Sequence, residues 1–185
     1  MNLEKLEMPE IIENENFRLE KINMNRVEEL FSVVDNNREY IMEFLDWVPK
    51  NRVLQDSINF VNKSLEKWND KKSFAYMIID NKSNELAGTV EAFGVSEKNK
   101  SSEFGYWLSK NHSKKGFMTN SVKAMEEVLF QKDFHRLVIR AAEKNSNSRN
   151  VAERLGYKQE AFFRDEHNLY GEFINHVLYS KLSTD

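Results

Sequence analysis

Cysteine is absent from the 185 residues, which excludes disulfide scaffolds, thiol catalysis and thiolate metal sites. Two prolines and six glycines are few for this length and disfavour a loop-rich architecture. No apolar run approaches the roughly 18 residues that a membrane-spanning helix needs, so no membrane partner is expected. A basic excess is also missing. The 27 Lys and Arg are outnumbered by 30 Asp and Glu, giving a net charge of −3, and a dedicated nucleic-acid binder usually shows the opposite balance. The opening MNLEKLEMPE mixes acids and bases and does not read as a secretory signal, so a cytoplasmic location is expected. What remains, 40% hydrophobic and 31% charged side chains, is the balance of one globular domain with a buried core.

No repeat, low-complexity tract or linker divides the chain, so one domain over residues 1–185 is expected, with 1–15 as an edge strand or a loosely ordered tail. Met8 to Ile12 reads as that strand, and Phe17 to Glu20 alternates as a half-buried one. Asn25 is expected to cap a helix whose apolar face is Val27, Leu30, Phe31 and Val34. A short helix over Asn37 to Phe44 follows, and Pro49 stops regular structure. Leu54, Ile58, Val61, Leu65 and Trp68, spaced four, three, four and three, mark the clearest helix. The period then falls to two. Phe74 to Ile79, Leu86 to Val95 and Ser102 to Leu108, joined by short polar turns, predict an antiparallel meander. Phe117 to Phe130 is expected as a helix, Arg136 to Ala142 as a strand, and Ser148 to Leu155 as a helix closed by Gly156. Tyr157 to Arg164 and Phe173 to Leu182 would form a final strand pair, with a long connection through Tyr170-Gly171. This order predicts a mixed α/β (α+β) sheet with helices on both faces.

Several catalytic constellations are missing. The sequence has no Gly-rich phosphate loop of the nucleotide-binding kinds and no G-x-S-x-G elbow. His112, His135, His167 and His176 show no i, i+4 pairing, so no metal site is expected. One stretch does carry chemistry. From Ser102 to Thr119 the chain reads as a strand, a basic turn holding Gly116, then a helix start. Free amides and the partial positive charge at a helix N-terminus suit a phosphate, and Lys110, Lys114 and Lys115 add charge nearby. An ordinary strand–helix connection with surface lysines has the same pattern.

Three segments in order resemble the GNAT superfamily of N-acetyltransferases, in the branch of the RimJ/RimL-type ribosomal-protein N-terminal acetyltransferases. Glu103-Phe104-Gly105-Tyr106-Trp107-Leu108 is close to that branch's E-I-G-Y-W-L strand. The turn and helix start through Gly116 and Thr119 are similar to the coenzyme loop. Asn145 to Tyr157 is similar to the N-x-x-S…LG[FY] helix. The loop departs from the family's Q/R-x-x-G-x-G/A, with Ser113 for the Gln/Arg, Lys114 where many relatives have Gly, and Met118 for the second small residue.

The resemblance implies a mostly antiparallel sheet that splays open to admit the pantetheine arm of acetyl-coenzyme A. It places the cofactor on Trp107, Leu108, Ser113, Lys114, Lys115, Gly116, Phe117, Met118, Thr119 and Asn145. An amine then attacks the thioester, Ser148 protonates the leaving thiolate, and a strand amide near Trp107–Leu108 receives the oxyanion. Ser148 could instead only cap its helix. Strand alternation puts Glu103, Gly105 and Trp107 on one face, so Glu103 is the expected base, with Glu91 and then His176 behind it. Trp47, Phe93 and Tyr170 are expected walls of the acceptor pocket. The acceptor implied is a protein N-terminal α-amine, with a ribosomal protein as one partner and a homodimer as one assembly. A small-molecule amine acetyltransferase and a non-catalytic acyl-coenzyme A binder are the alternatives.

Overall fold

In a computed structural model describing residues 1–185, secondary structure follows the change of period along the chain. β1 (Ile11–Glu13) and β2 (Phe17–Lys21) lead into α1 (Val27–Asn36), α2 (Arg38–Ile41) and α3 (Leu54–Asn69). β3 (Ser73–Asp80), β4 (Leu86–Ser96) and β5 (Ser101–Leu108) form the expected meander. α4 (Phe117–Gln131), β6 (Arg136–Ala142), α5 (Ser146–Arg154), β7 (Lys158–Leu169) and β8 (Glu172–Leu182) complete the chain. The strands make one eight-stranded sheet in the order β1-β2-β3-β4-β5-β6-β8-β7. Only β5 and β6 run parallel; every other neighbouring pair is antiparallel.

Alternation along β3 sets the layers. Phe74, Tyr76 and Ile78 join a core with Val122, Met125 and Leu129 of α4 and Val151 and Ala152 of α5. Ala75, Met77 and Ile79 face the other way, onto Leu30 and Val34 of α1 and Val61 of α3. The sheet is therefore covered on both sides, and no helix is long and apolar enough to cross a membrane.

Local boundaries differ from the sequence expectation for identifiable reasons. β1 begins at Ile11 because Leu6 and Met8 are drawn into the core and the chain before it forms a 3-10 turn at Leu3–Lys5. Asn25 caps nothing. Asn23 accepts the Asn25 amide instead, opening a 3-10 turn at Met24–Arg26 before α1. α2 stops at Ile41, well short of Phe44. Pro49 sits inside a 3-10 turn at Val48–Lys50, near the start of a helical turn, where its missing N–H costs no bond. α5 starts at Ser146 because Asn145 caps it, its side chain accepting from the Ser148 amide at 3.1 Å. The final strands form a tight hairpin rather than a pair with a long connection. Tyr170 (φ 55°) and Gly171 (φ 96°) are its two turn residues, both left-handed as a type I′ hairpin requires. Register shifts at Gln159/Ala161 and Phe163/His167, with Asp165 at φ 51°, break the alternation of β7 and disguise its second half.

Candidate active site

The parallel pairing of β5 and β6 is short. It joins Ser101–Phe104 to Arg136–Ile139 and goes no further. Beyond it, Gly105–Leu108 stay on β4 and Arg140–Ala142 stay on β8, so the two strands diverge. The Ser109 amide donates to the Ala87 carbonyl at 2.8 Å, which fixes the antiparallel alternation between β4 and β5. Gly105 and Trp107 accordingly direct their backbone groups at β4. Tyr106 and Leu108 direct theirs into the gap, where no strand meets them. The backbone groups open to an added extended chain are thus those of Tyr106 and Leu108, and Trp107 presents its side chain instead. A cleft of about 570 Å³ runs through this gap, reaching the start of α4 on one side of the sheet and the segment Tyr40–Leu45 on the other.

At the α4 side, a 3-10 turn at Lys110–His112 is held by the Lys110 amide donating to Asn37 Oδ1 (2.9 Å) and by the Ser109 hydroxyl with His112 Nδ1 (2.8 Å). The Ser113 hydroxyl hydrogen-bonds the Tyr40 phenol. Lys114 takes φ 60° and Gly116 takes φ 81°, so a lysine and a glycine both hold the left-handed conformation in this loop. Gly116 is the N-cap of α4 and no side chain caps that end. The first-turn amides therefore lack a protein partner and lie beside the cleft, the arrangement that suits an anion. The Met118 side chain is buried in the core, which leaves its backbone for the loop.

Ser148 lies in the first turn of α5 and lines the cleft. Its hydroxyl is 3.1 Å from the Tyr106 hydroxyl, which also donates to the Ser148 carbonyl at 3.2 Å. The phenol has one proton, so Ser148 donates to Tyr106 when both bonds are made. Burial pushes the Tyr106 phenol far above its ordinary pKa, so it stays neutral. The capping role weighed for Ser148 belongs to Asn145.

The opposite side holds a chain of charges. Glu103 is 3.5 Å from Arg140, Arg140 pairs with Glu166, and Glu166 accepts from His176 Nδ1 at 3.1 Å. Burial raises the Glu103 pKa against the lowering effect of Arg140, and burial lowers that of His176 against the raising effect of Glu166. Glu103 still lies in the paired part of β5, opposite Val138, and is not in the cleft wall; Arg140 and His176 are. Glu91 hydrogen-bonds the Ser73 hydroxyl. Phe93 stands next to Gly105, where an added Cβ would lie 3.3 Å from the Phe93 ring. Trp47 packs on Trp107 at 6.2 Å between ring centroids. Tyr170, at the hairpin tip, donates to the Leu45 carbonyl at 2.7 Å.

Of the residues singled out from the sequence, Trp107, Leu108, Ser113, Lys114, Gly116, Phe117, Met118, Thr119, Asn145, Ser148 and His176 line this one cleft. Lys115, Glu103, Glu91, Phe93, Trp47 and Tyr170 do not line it; Trp47, Phe93 and Tyr170 back residues that do. Tyr40, Glu43, Tyr106 and Arg140 line it and were not anticipated. Tyr106 sits inside the strand motif and could have been found from it.

Comparison with known proteins agrees with this geometry. A family model described as "Acetyltransferase (GNAT) domain" matches residues 16–158. The chain is 26% identical over 172 residues to the ribosomal-protein-serine acetyltransferase of Escherichia coli strain K12, covering 88% of this chain and 95% of that protein. Among solved structures, RimL, a ribosomal L7/L12 alpha-N-protein acetyltransferase in complex with coenzyme A, superposes with a TM-score of 0.90 at 23% identity, over 95% of this chain and 100% of that one. The Microcin C7 self immunity acetyltransferase MccE, in complex with acetyl-CoA and AMP, gives 0.88 at 24% identity, over 91% and 93%. With the family model spanning most of its length and the splayed sheet in place, this chain belongs to the GNAT acetyltransferase family.

Proposed function

We propose that the protein transfers an acetyl group from acetyl-coenzyme A to a protein N-terminal α-amine, a ribosomal protein being the first candidate, and works in the cytoplasm. The observation that carries this reading is the gap after Phe104 and Ile139, continuous with the uncapped start of α4. The residues suit the coenzyme: an open strand edge for an amide-bearing arm, and free helix amides with Lys114 for a diphosphate. When bound, acetyl-coenzyme A supplies the activated thioester. The strand edge at Tyr106 and Leu108 orients that arm, and the Leu108 amide is the proposed donor to the developing oxyanion. Ser148 gives a proton toward the leaving sulfur once its hydrogen turns from Tyr106, the Tyr106 phenol then donating to the Ser148 hydroxyl instead of its carbonyl. Asn145 caps α5 and so sets the position of Ser148. Trp107, backed by Trp47, walls the acceptor side, and Phe93 and Tyr170 support that wall from behind Gly105 and Leu45.

Support for a protein acceptor comes from the ribosomal-protein acetyltransferases among the similar proteins. A second reading, a small-molecule amine, is favoured by the Tyr170–Leu45 hydrogen bond, which ties the hairpin tip across the acceptor side and narrows it. A homodimer is part of the proposal, since Phe162 and Phe173 on the terminal hairpin expose 47% and 63% of their surface and would be covered by a second copy. Mass spectrometry of a host proteome incubated with the protein and labelled acetyl-coenzyme A tests the function. A labelled N-terminus supports the protein acceptor. Turnover of free amines alone supports the second reading. Coenzyme binding without transfer to any acceptor leaves only an acyl-coenzyme A binder.

A further inference from the structure

Besides Tyr40, whose phenol is hydrogen-bonded to Ser113, the acceptor side of the cleft has three ionisable groups in its wall, Glu43, Arg140 and His176. Arg140 is committed to Glu103 and Glu166, and a guanidinium is a donor with no acceptor site for a proton. Glu103 and Glu91, the carboxylates on the neighbouring strands, are turned to Arg140 and Ser73. His176 is different. It lies on β8 opposite Ala142, where β6 has already parted from β5, and its side chain is 17% exposed. Its Nδ1 faces Glu166 Oε2 at 3.1 Å. An ionised carboxylate only accepts, so Nδ1 carries the hydrogen and Nε2 keeps its lone pair.

We propose that His176, oriented by Glu166, is the base that takes the proton from the incoming acceptor ammonium. This rests on the acetyl-transfer reading above. His176 Nε2 accepts one proton from the ammonium. The freed nitrogen lone pair forms the N–C bond, and the C–S bond breaks with its electron pair on sulfur. The second proton leaves nitrogen for water, the Ser148 hydroxyl gives its proton to the thiolate, and water returns one to Ser148, so that no alkoxide is left. His176 then returns its proton to water. The groups facing the imidazole are Glu166 and His167 on β7 and Arg140 on β6, while Glu43 shares the cleft wall. Burial holds His176 below the ordinary imidazole value, so the ring is neutral at pH 7, as a base must be. An α-ammonium has a reference pKa near 8, so an imidazole is a closer match than a carboxylate near 4.5.

The test is the pH dependence of kcat and kcat/KM, using a short peptide with a free serine α-amine and acetyl-coenzyme A. His176→Gln should lower kcat at pH 7 by about 100-fold, the lower end for loss of a general base, with little change in KM. The deficit should shrink above about pH 8, where the acceptor arrives already neutral. Glu166→Gln removes the group that favours the imidazolium, so the acidic limb of the profile should move to lower pH, with a smaller loss of kcat. A merely structural role would give the same loss at every pH and leave that limb in place. Calorimetric coenzyme binding checks that each variant is folded, and if His176→Gln fails it, the limb shift of Glu166→Gln decides alone. An active wild type with His176→Gln within threefold of it, or with an unmoved limb, overturns the assignment and spares the acetyl-transfer reading. A wild type inert on every amine sinks that reading, and this one with it.

Discussion

Removing the Lys181 ammonium should destabilise the fold far more than a surface charge would. Lys181 Nζ on β8 is 2.6 Å from Glu126 Oε1 on α4, and the two side chains are 21% and 6% exposed. The other carboxylate oxygen of Glu126 is buried with no hydrogen-bond partner, so Lys181 is the only cation compensating it. Breaking a fully buried pair from one side costs roughly 3–5 kcal/mol, because an unpaired charge is left behind. Water still reaches the Lys181 end, which brings the expectation for Lys181→Met down to about 2–3 kcal/mol. For a domain of this size that is a fall in Tm of roughly 5–10 °C. The double variant Glu126→Met/Lys181→Met removes both charges and should recover most of the loss, since apolar replacement of a buried pair is often close to neutral. Urea titration of wild type, both single variants and the double variant gives the coupling. A Lys181→Met loss below about 1 kcal/mol, or a double variant less stable than either single one, would refute the reasoning. The pair ties α4 to β8, so the coenzyme loop at the head of α4 should loosen with it.

Three further outcomes are expected. Gly88→Ala places a Cβ 2.1 Å from the Trp107 carbonyl oxygen, so β4 must move off β5 beside the gap; a loss of about 2 kcal/mol with weaker coenzyme binding should appear in thermal melts and calorimetry. Lys114→Gly relieves a left-handed lysine at φ 60° but frees the unfolded chain, so stability should change by less than about 1 kcal/mol, while coenzyme affinity falls a few-fold at low salt and less at high salt. Glu160 is held at a pKa of about 2, first by Arg136 and then by the Ser180 hydroxyl, against an ordinary 4.5. Its folded pKa is depressed, so its stabilising contribution is complete above about pH 4.5 and is lost as pH falls toward 2; Glu160→Gln should flatten the stability curve in that window, as read by urea titration at several pH values.

Legibility in the sequence followed locality. The meander, the α4 start and the α5 helix are each written in consecutive residues, so resemblance to the family's motifs was enough to bring Leu108, Gly116, Asn145 and Ser148 together, and all four line one cleft. The acceptor side has no such local record. Tyr40 lies in α2, Arg140 in the second half of β6 and His176 on β8, and only the strand order β5-β6-β8 makes the last two neighbours of the gap. Glu103 shows the limit of alternation. Period two assigns its face correctly, but nothing in the hexapeptide says that β6 still pairs at Glu103 and has left by Gly105. The second half of β7 was hidden for a related reason: register shifts interrupt its alternation, and Glu166 lies within that stretch.

The same divergence explains why coenzyme and acceptor can meet at all. A continuous sheet would separate the α4–α5 layer from the α1–α3 layer with an unbroken wall of paired backbone. Here β5 keeps its hydrogen bonds to β4 and β6 keeps its own to β8, so the wall is opened without stranding either strand from the sheet. The backbone groups left over on Tyr106 and Leu108 must find a partner outside the sheet. An extended, amide-bearing ligand would satisfy them, and the proposed reaction would then take place where Ser148 and His176 line the gap.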